Sequence, residues 1–158
     1  MKNYNIEKVK DDEKDILYNL LQFALYDGSK YIENKINNNA VFEYKWFDSY
    51  FTDKNRYAYF IKDNNENLIG FAMLNQNMKI LTNGYSMAEF LILPSYRRNH
   101  IGKKVAFELF SKFKGNWEVE PIENSEEAYN FWKNVISDYT NNNYECKNQI
   151  FIFNNKNN

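Results

Sequence analysis

The sequence predicts an α/β (α+β) fold: a mixed, largely antiparallel central sheet with helices on both faces. Three observations predict it. Residues 56–94 alternate apolar and polar in three runs separated by turn residues, the pattern of an antiparallel meander. Residues 86–122 then read strand, amphipathic helix, strand, a crossover that makes its two strands roughly parallel. Segments of helical period stand before the meander and after the crossover, and supply cover for the sheet. The order of elements is β-α-α-β-β-β-α-β-α-β.

The first strand is "YNIEKVK", with Tyr4, Ile6 and Val9 on alternating positions. "DDEKDILYNLLQFALYD" sets Ile16, Leu17, Leu20, Leu21, Ala24 and Leu25 on one helical face behind an acidic start, and Gly28 ends it. Residues 29–55 carry the aromatic run "VFEYKWFDSYF", read as a second helix with an ordered loop as the alternative. Tyr44, Trp46 and Tyr50 in that run are read as aromatic packing, with the lining of a pocket as the alternative. "RYAYFIKD" and "NLIGFAMLNQ" are strands joined by "NNEN", and "NMKI" continues the second past a kink. Asn83-Gly84 is a hairpin signal, after which "YSMAEFLIL" returns.

In the crossover helix Ile101, Val105, Leu109 and Phe113 recur every four residues, with Lys103, Lys104, Glu108, Ser111 and Lys112 opposite. Gly115 caps it and "NWEVEPI" is the next strand. Asn124 with Glu127 has capping-box form, and Ala128, Phe131, Trp132, Val135 and Ile136 mark the face of the last helix. "YECKNQIFIF" closes the sheet as one strand. The chain reads as a single domain over 1–153 with a frayed tail at 154–158.

Composition excludes several classes. At 158 residues and 44% apolar, the chain can build a core and is not disordered. A net charge of −1 argues against a dedicated nucleic-acid binder. Cys146 is the only cysteine, so an internal disulfide and a cysteine-based zinc site are both excluded, and no metal is expected. No apolar run approaches the roughly 18 residues of a membrane span, and the polar N-terminus has no signal-peptide core. The cytoplasm is the expected location, and a monomer or homodimer the expected state.

The segment "LPSYRRNHIGKK", residues 93–104, joins the crossover's first strand to its helix. The first amides of a helix lack acceptors, and its dipole is positive at that end. Gly102 lets an anion approach the backbone, and Arg97, Arg98, Lys103 and Lys104 add charge. On physical grounds two readings stand equally: a phosphate site, or solvated charges at an ordinary helix start.

The same segment resembles the acetyl-CoA-binding motif of the GNAT superfamily of N-acetyltransferases, which runs Arg or Gln, two residues, Gly, one residue, Gly or Ala. It is matched by Arg97, Arg98, Asn99, His100, Ile101 and Gly102, with His100 in place of the first glycine. "EFLILPSY" is similar to the family's fourth strand, and "GNWEVEPIENSEEAYNFW" to its fifth strand and following helix. The resemblance implies acetyl-CoA as co-substrate and an amine of a small molecule or peptide as acceptor.

It also implies site roles. Amides of Arg98, Asn99, His100, Ile101, Gly102 and Lys103 hold the pyrophosphate, aided by the Arg97 and Lys103 side chains. Free backbone groups at Leu91 and Ile92 pair with the pantetheine arm, as an added strand does. Asn124 or Ser125 contacts pantetheine. Glu89, a carboxylate within an apolar strand, is the candidate general base, because an alkyl amine must lose a proton before it attacks. The general acid is harder to name. Trp132 stands where many relatives carry a tyrosine, and Tyr129 and Tyr139 are the substitutes, Tyr129 the catalytic candidate. A module that binds acetyl-CoA with little turnover is the alternative.

Overall fold

The computed structural model describes residues 2–97 and 99–157. Its sheet has seven strands: β1 (Tyr4–Lys8), β2 (Arg56–Asp63), β3 (Leu68–Asn75), β4 (Tyr85–Ile92), β5 (Asn116–Val119), β6 (Glu145–Lys147) and β7 (Ile150–Asn154). They lie in the order β1-β2-β3-β4-β5-β7-β6, and every pair is antiparallel except β4–β5. The helices are α1 (Lys14–Gly28), the single turn α2 (Ser49–Thr52), α3 (Ile101–Lys112) and α4 (Glu126–Thr140). The mixed sheet with two covered faces is as the sequence predicts.

The period-2 pattern divides the side chains between two cores. Phe60, Phe71, Met73 and Leu91 pack with Leu17, Leu20 and Leu21 of α1. Tyr59, Ile61, Ala72, Leu74 and Ile92 pack with Val105, Ala106 and Leu109 of α3 and Val135 and Ile136 of α4. Each fully buried aliphatic side chain contributes about 1.5–3 kcal/mol through apolar burial.

The structure corrects four local expectations. The predicted second helix is only α2; Ala40 and Trp46, with φ of 59° and 68°, interrupt helical backbone before it. Residues 29–48 are instead tied to α1 by side chains. The Gln22 amide both donates to and accepts from the Phe42 backbone (2.9 and 2.8 Å), and Tyr18 donates to the Phe42 carbonyl (3.1 Å). The β3–β4 connection is the nine residues 76–84 rather than a two-residue hairpin at Asn83-Gly84, and "NMKI" is not strand. Its backbone is fixed by Glu118 of β5, a residue 3% exposed whose carboxylate accepts the amides of Lys79, Ile80 and Leu81.

The closing strand is a hairpin, β6 and β7, turned by Asn148 and Gln149 in left-handed conformation. Finally, the core does not end at residue 153. Asn155 is fully buried; its side chain accepts from the Gly115 amide (2.8 Å) and donates to the Phe110 carbonyl (2.6 Å).

Candidate active site

The site is built on a break in the sheet. β4 and β5 pair only at Tyr85↔Trp117 and Ser86↔Glu118, so β4 runs unpaired on that side from Met87 to Ile92. The gap opens into a cleft of about 1090 Å³, walled by the C-terminal end of α1, β4, residues 120–123, the start of α3 and one side of α4.

β4 carries a bulge here. The register with β3 runs Leu74↔Met87 and then Met73↔Glu89, so Ala88 has no partner. The extra residue reverses the side-chain phase. Met87 packs in the core under α3, while Glu89 and Leu91 turn to the α1 face. Glu89 is half-buried and lines the cleft. Burial pushes its carboxyl up to about 7, and a hydrogen bond from Tyr44 partly offsets that rise.

The phase also identifies the gap-facing backbone. Leu93 donates to the Ile69 carbonyl (2.8 Å), so Leu91 is committed to β3, and Phe90 and Ile92 turn outward. Of the expected pair, only Ile92 faces the gap; Phe90 replaces Leu91. Arg97 Nε donates to the Ile92 carbonyl (2.8 Å), which anchors that guanidinium at the end of β4.

Beyond β4 the chain enters α3 through Asn99 and His100, whose φ values are 59° and 57°. Two consecutive left-handed residues are costly for side-chain-bearing amino acids, and a glycine is suited to either position. The helix follows directly, leaving its first amides unbonded within the helix. Arg97, His100, Gly102 and Lys103 line the cleft, whereas Asn99 and Ile101 do not. Arg98 lies outside the described residues. Lys103 also bridges to Asp138 of α4. A Cβ on Gly102 would stand 3.3 Å from the Phe131 ring, so this glycine lets α3 pack closely against α4.

A charged loop, a helix N-terminus and a bare strand edge converge on one cleft, a donor set suited to a ligand with both phosphates and amides. Sequence comparison decides the family. The model of the acetyltransferase (GNAT) family matches residues 16–135. The chain belongs to the GNAT family.

Solved structures agree in fold. An acetyltransferase from Thermus thermophilus is 8% identical, with 98% of each chain covered and a TM-score of 0.71. A mutant of the BH1408 protein from Bacillus halodurans is 10% identical, covering 83% of this chain and 90% of its own, at 0.64. AtaTR bound with AcCoA is 14% identical, covering 98% and 94%, at 0.57. No curated protein matches the chain significantly by sequence.

Within this GNAT frame the expectations for α4 change. The cap is Ser125, whose Oγ accepts the Ala128 amide (3.1 Å) and which lines the cleft. Asn124, expected as cap, is left-handed, and its side chain donates to the Tyr31 carbonyl (3.2 Å). Tyr129 is not brought to the cleft: its hydroxyl lies 3.8 Å from Cys146 Sγ and its ring packs on Phe151. The Tyr139 hydroxyl meets the exposed Ser111 and the buried Asn155, away from the cleft. Trp132 lines the cleft and packs against Phe90 and Phe131. Tyr44 and Trp46 line a separate surface groove with Tyr18 and Asp48, and Tyr50 packs in the core on the α1 face. Among the described residues, no helix is long and apolar enough to cross a membrane, and no His/Cys/Asp/Glu group could hold a metal ion.

Proposed function

We propose that this protein moves an acetyl group from acetyl-CoA to a primary amine, with Glu89 as the general base. One observation carries the proposal. Glu89 is a carboxylate held near 7 on the strand that borders the gap, and the amine must be deprotonated there. A base with a midpoint near neutrality is ionised at working pH and still accepts a proton. Acetyl-CoA supplies the activated acyl thioester. Its pyrophosphate fits the start of α3, with Arg97 and Lys103 beside it. Its amides fit the outward backbone of Phe90 and Ile92, and Ser125 is the polar contact from α4. The acceptor nitrogen loses its proton to a Glu89 carboxylate oxygen as it bonds to the thioester carbonyl carbon, the C–S bond breaks, and CoA leaves as thiolate and takes its proton from solvent.

A second reading has its own support: no tyrosine of α4 lines the cleft, so the family's usual acid is missing there. A domain of that kind would bind acetyl-CoA and turn over slowly. One experiment separates the two. The protein is mixed with acetyl-CoA and a panel of amines while free thiol is followed, beside a Glu89→Gln variant. Turnover by the wild type with a kcat about 10²–10⁴-fold lower in the variant supports the proposal. Equal rates in both remove Glu89 as base. Tight acetyl-CoA binding with no thiol release from any amine favours the binding module.

A further inference from the structure

Two helix ends beside the cleft carry charges of the sign that their own dipoles disfavour. The first turn of α3 holds Lys103 and Lys104 and no acid, although a helix is positive at that end. The last turn of α4 holds Asp138 and no base, although a helix is negative at that end. Lys103 and Asp138 both line the cleft, and they meet: the Lys103 ammonium donates to an Asp138 carboxylate oxygen. An anion at the first amides of α3 accounts for the lysines. It does not account for Asp138.

The pair sits where α3 and α4 pack together. The Lys103 ammonium lies 5.6 Å over the Phe107 ring, and that ring meets the ring of Tyr139, the residue after Asp138, edge-on at 5.1 Å. Ser125, the cap of α4, lines the same cleft about 20 Å away along the helix axis. The contact is no structural anchor. Its side chains are 36% and 57% exposed, and an ion pair so exposed adds little to stability. Two other acids of the cleft are paired elsewhere: Asp27 with Lys30 and Glu120 with Lys79, neither partner a residue of α3. Asp138 is set apart by holding a cation of the α3 start.

We propose that Asp138 is a positioning residue that competes with phosphate for Lys103, and so keeps acetyl-CoA and CoA bound loosely enough for product to leave. The proposal rests on the reading of the α3 start as the phosphate site. A phosphate oxygen gains its charge-assisted bond from Lys103 only by drawing the ammonium away from Asp138, so part of the binding free energy goes to loosening the pair. The pair re-forms as the ligand departs. Acetyl-CoA and CoA carry the same phosphates, so a stronger Lys103 contact would tighten substrate and product alike and slow product release. The step exchanges one ion pair for another, with no covalent bond made or broken and no proton moved.

Calorimetry on the full chain at low salt tests this without an acceptor amine. Asp138→Asn keeps the shape of the side chain and removes its charge. It should bind acetyl-CoA and CoA each about two- to fivefold tighter, the range of one exposed ion pair, and the gain should shrink at high salt. CoA displaced from this variant should leave more slowly by a similar factor. Asp138→Glu restores the charge and should return to wild-type affinity. In a Lys103→Met background the gain from Asp138→Asn should largely disappear, because the acid then has no ammonium to hold. A damaged fold would weaken binding, so tighter binding is a result that a merely structural role for Asp138 does not give. Equal or weaker binding by Asp138→Asn, or unchanged CoA release, overturns the inference. So does an equal gain with and without Lys103, since Asp138 would then act by its charge alone. If neither ligand binds any of these proteins, the phosphate-site reading fails and the inference fails with it. Binding without the gain removes the inference alone.

Discussion

Glu89→Gln should make the protein more stable at neutral and alkaline pH while removing its activity. The carboxyl moves from its ordinary 4.5 to about 7 on folding, because burial disfavours the charge. At 1.36 kcal/mol per pH unit, ionised Glu89 costs the folded state about 3 kcal/mol. The sign follows from proton binding. Below pH 4.5 the group is protonated in both states and costs nothing. As pH rises from 4.5 to about 7, the unfolded chain releases the proton and the folded chain retains it, so wild-type stability falls. Above 7 both states are ionised and the deficit is constant. Glutamine is neutral throughout and escapes this penalty. Urea unfolding of both proteins from pH 4.5 to 8.5 should therefore show the variant gaining on the wild type by about 3 kcal/mol across the interval, then running parallel. A difference that does not change with pH would mean that Glu89 is not desolvated on folding. Its claim to act as a base near neutrality would then go too.

Three further outcomes follow from the geometry. Gln22→Ala breaks both amide bonds to Phe42 and should cost about 2 kcal/mol in chemical unfolding. His100→Gly removes a side chain from a left-handed position and should raise stability by about 0.5–1 kcal/mol, with acetyl-CoA affinity by calorimetry unchanged or improved. Arg97→Ala should weaken acetyl-CoA binding by about tenfold, the scale of one charge-assisted contact, and an unchanged dissociation constant would remove Arg97 from the phosphate site.

Strands and helices with a strong period were legible in the sequence, since burial on one face writes the period directly. Leu17 and Leu21 of α1, or Val105 and Leu109 of α3, could be read without a structure. The segment before β2 was not. Phe42, Phe47 and Tyr50 are apolar because they pack near α1, and helical backbone is interrupted at Ala40 and Trp46 by left-handed conformations that the sequence does not announce. The bulge at Ala88 was equally silent: strict alternation puts Met87, Glu89 and Leu91 on one face, and the structure separates Met87 from the others. The charged loop was legible as a candidate site because charge, glycine and helix start coincide in one short stretch. Tyr129 was a choice by residue type alone. Two residues on a helix point about 200° apart, so once Phe131 lines the cleft, Tyr129 is turned away from it.

Two glutamates stand beside the gap in different surroundings. Glu118 is the more deeply buried, yet its carboxylate accepts three backbone amides from residues 79–81. Those bonds tie the β3–β4 connection to β5 close to the only two residue pairs that β4 and β5 form. They hold the strands together at one end of the gap and so define where it begins. Glu89 stands three residues beyond the second pair and lines the cleft, where burial pushes its carboxyl up to about 7. A carboxylate that accepts three fixed amides is a structural anchor, because removing it would leave those donors unpaired. A carboxylate that lines a cleft and holds no backbone amide of the described residues can change protonation state without dismantling its surroundings. The bulge at Ala88 supplies the remaining condition. It turns Glu89 out of the α3 core to the side where the aromatic segment can reach it, and an uninterrupted β4 in register with Met87 would not.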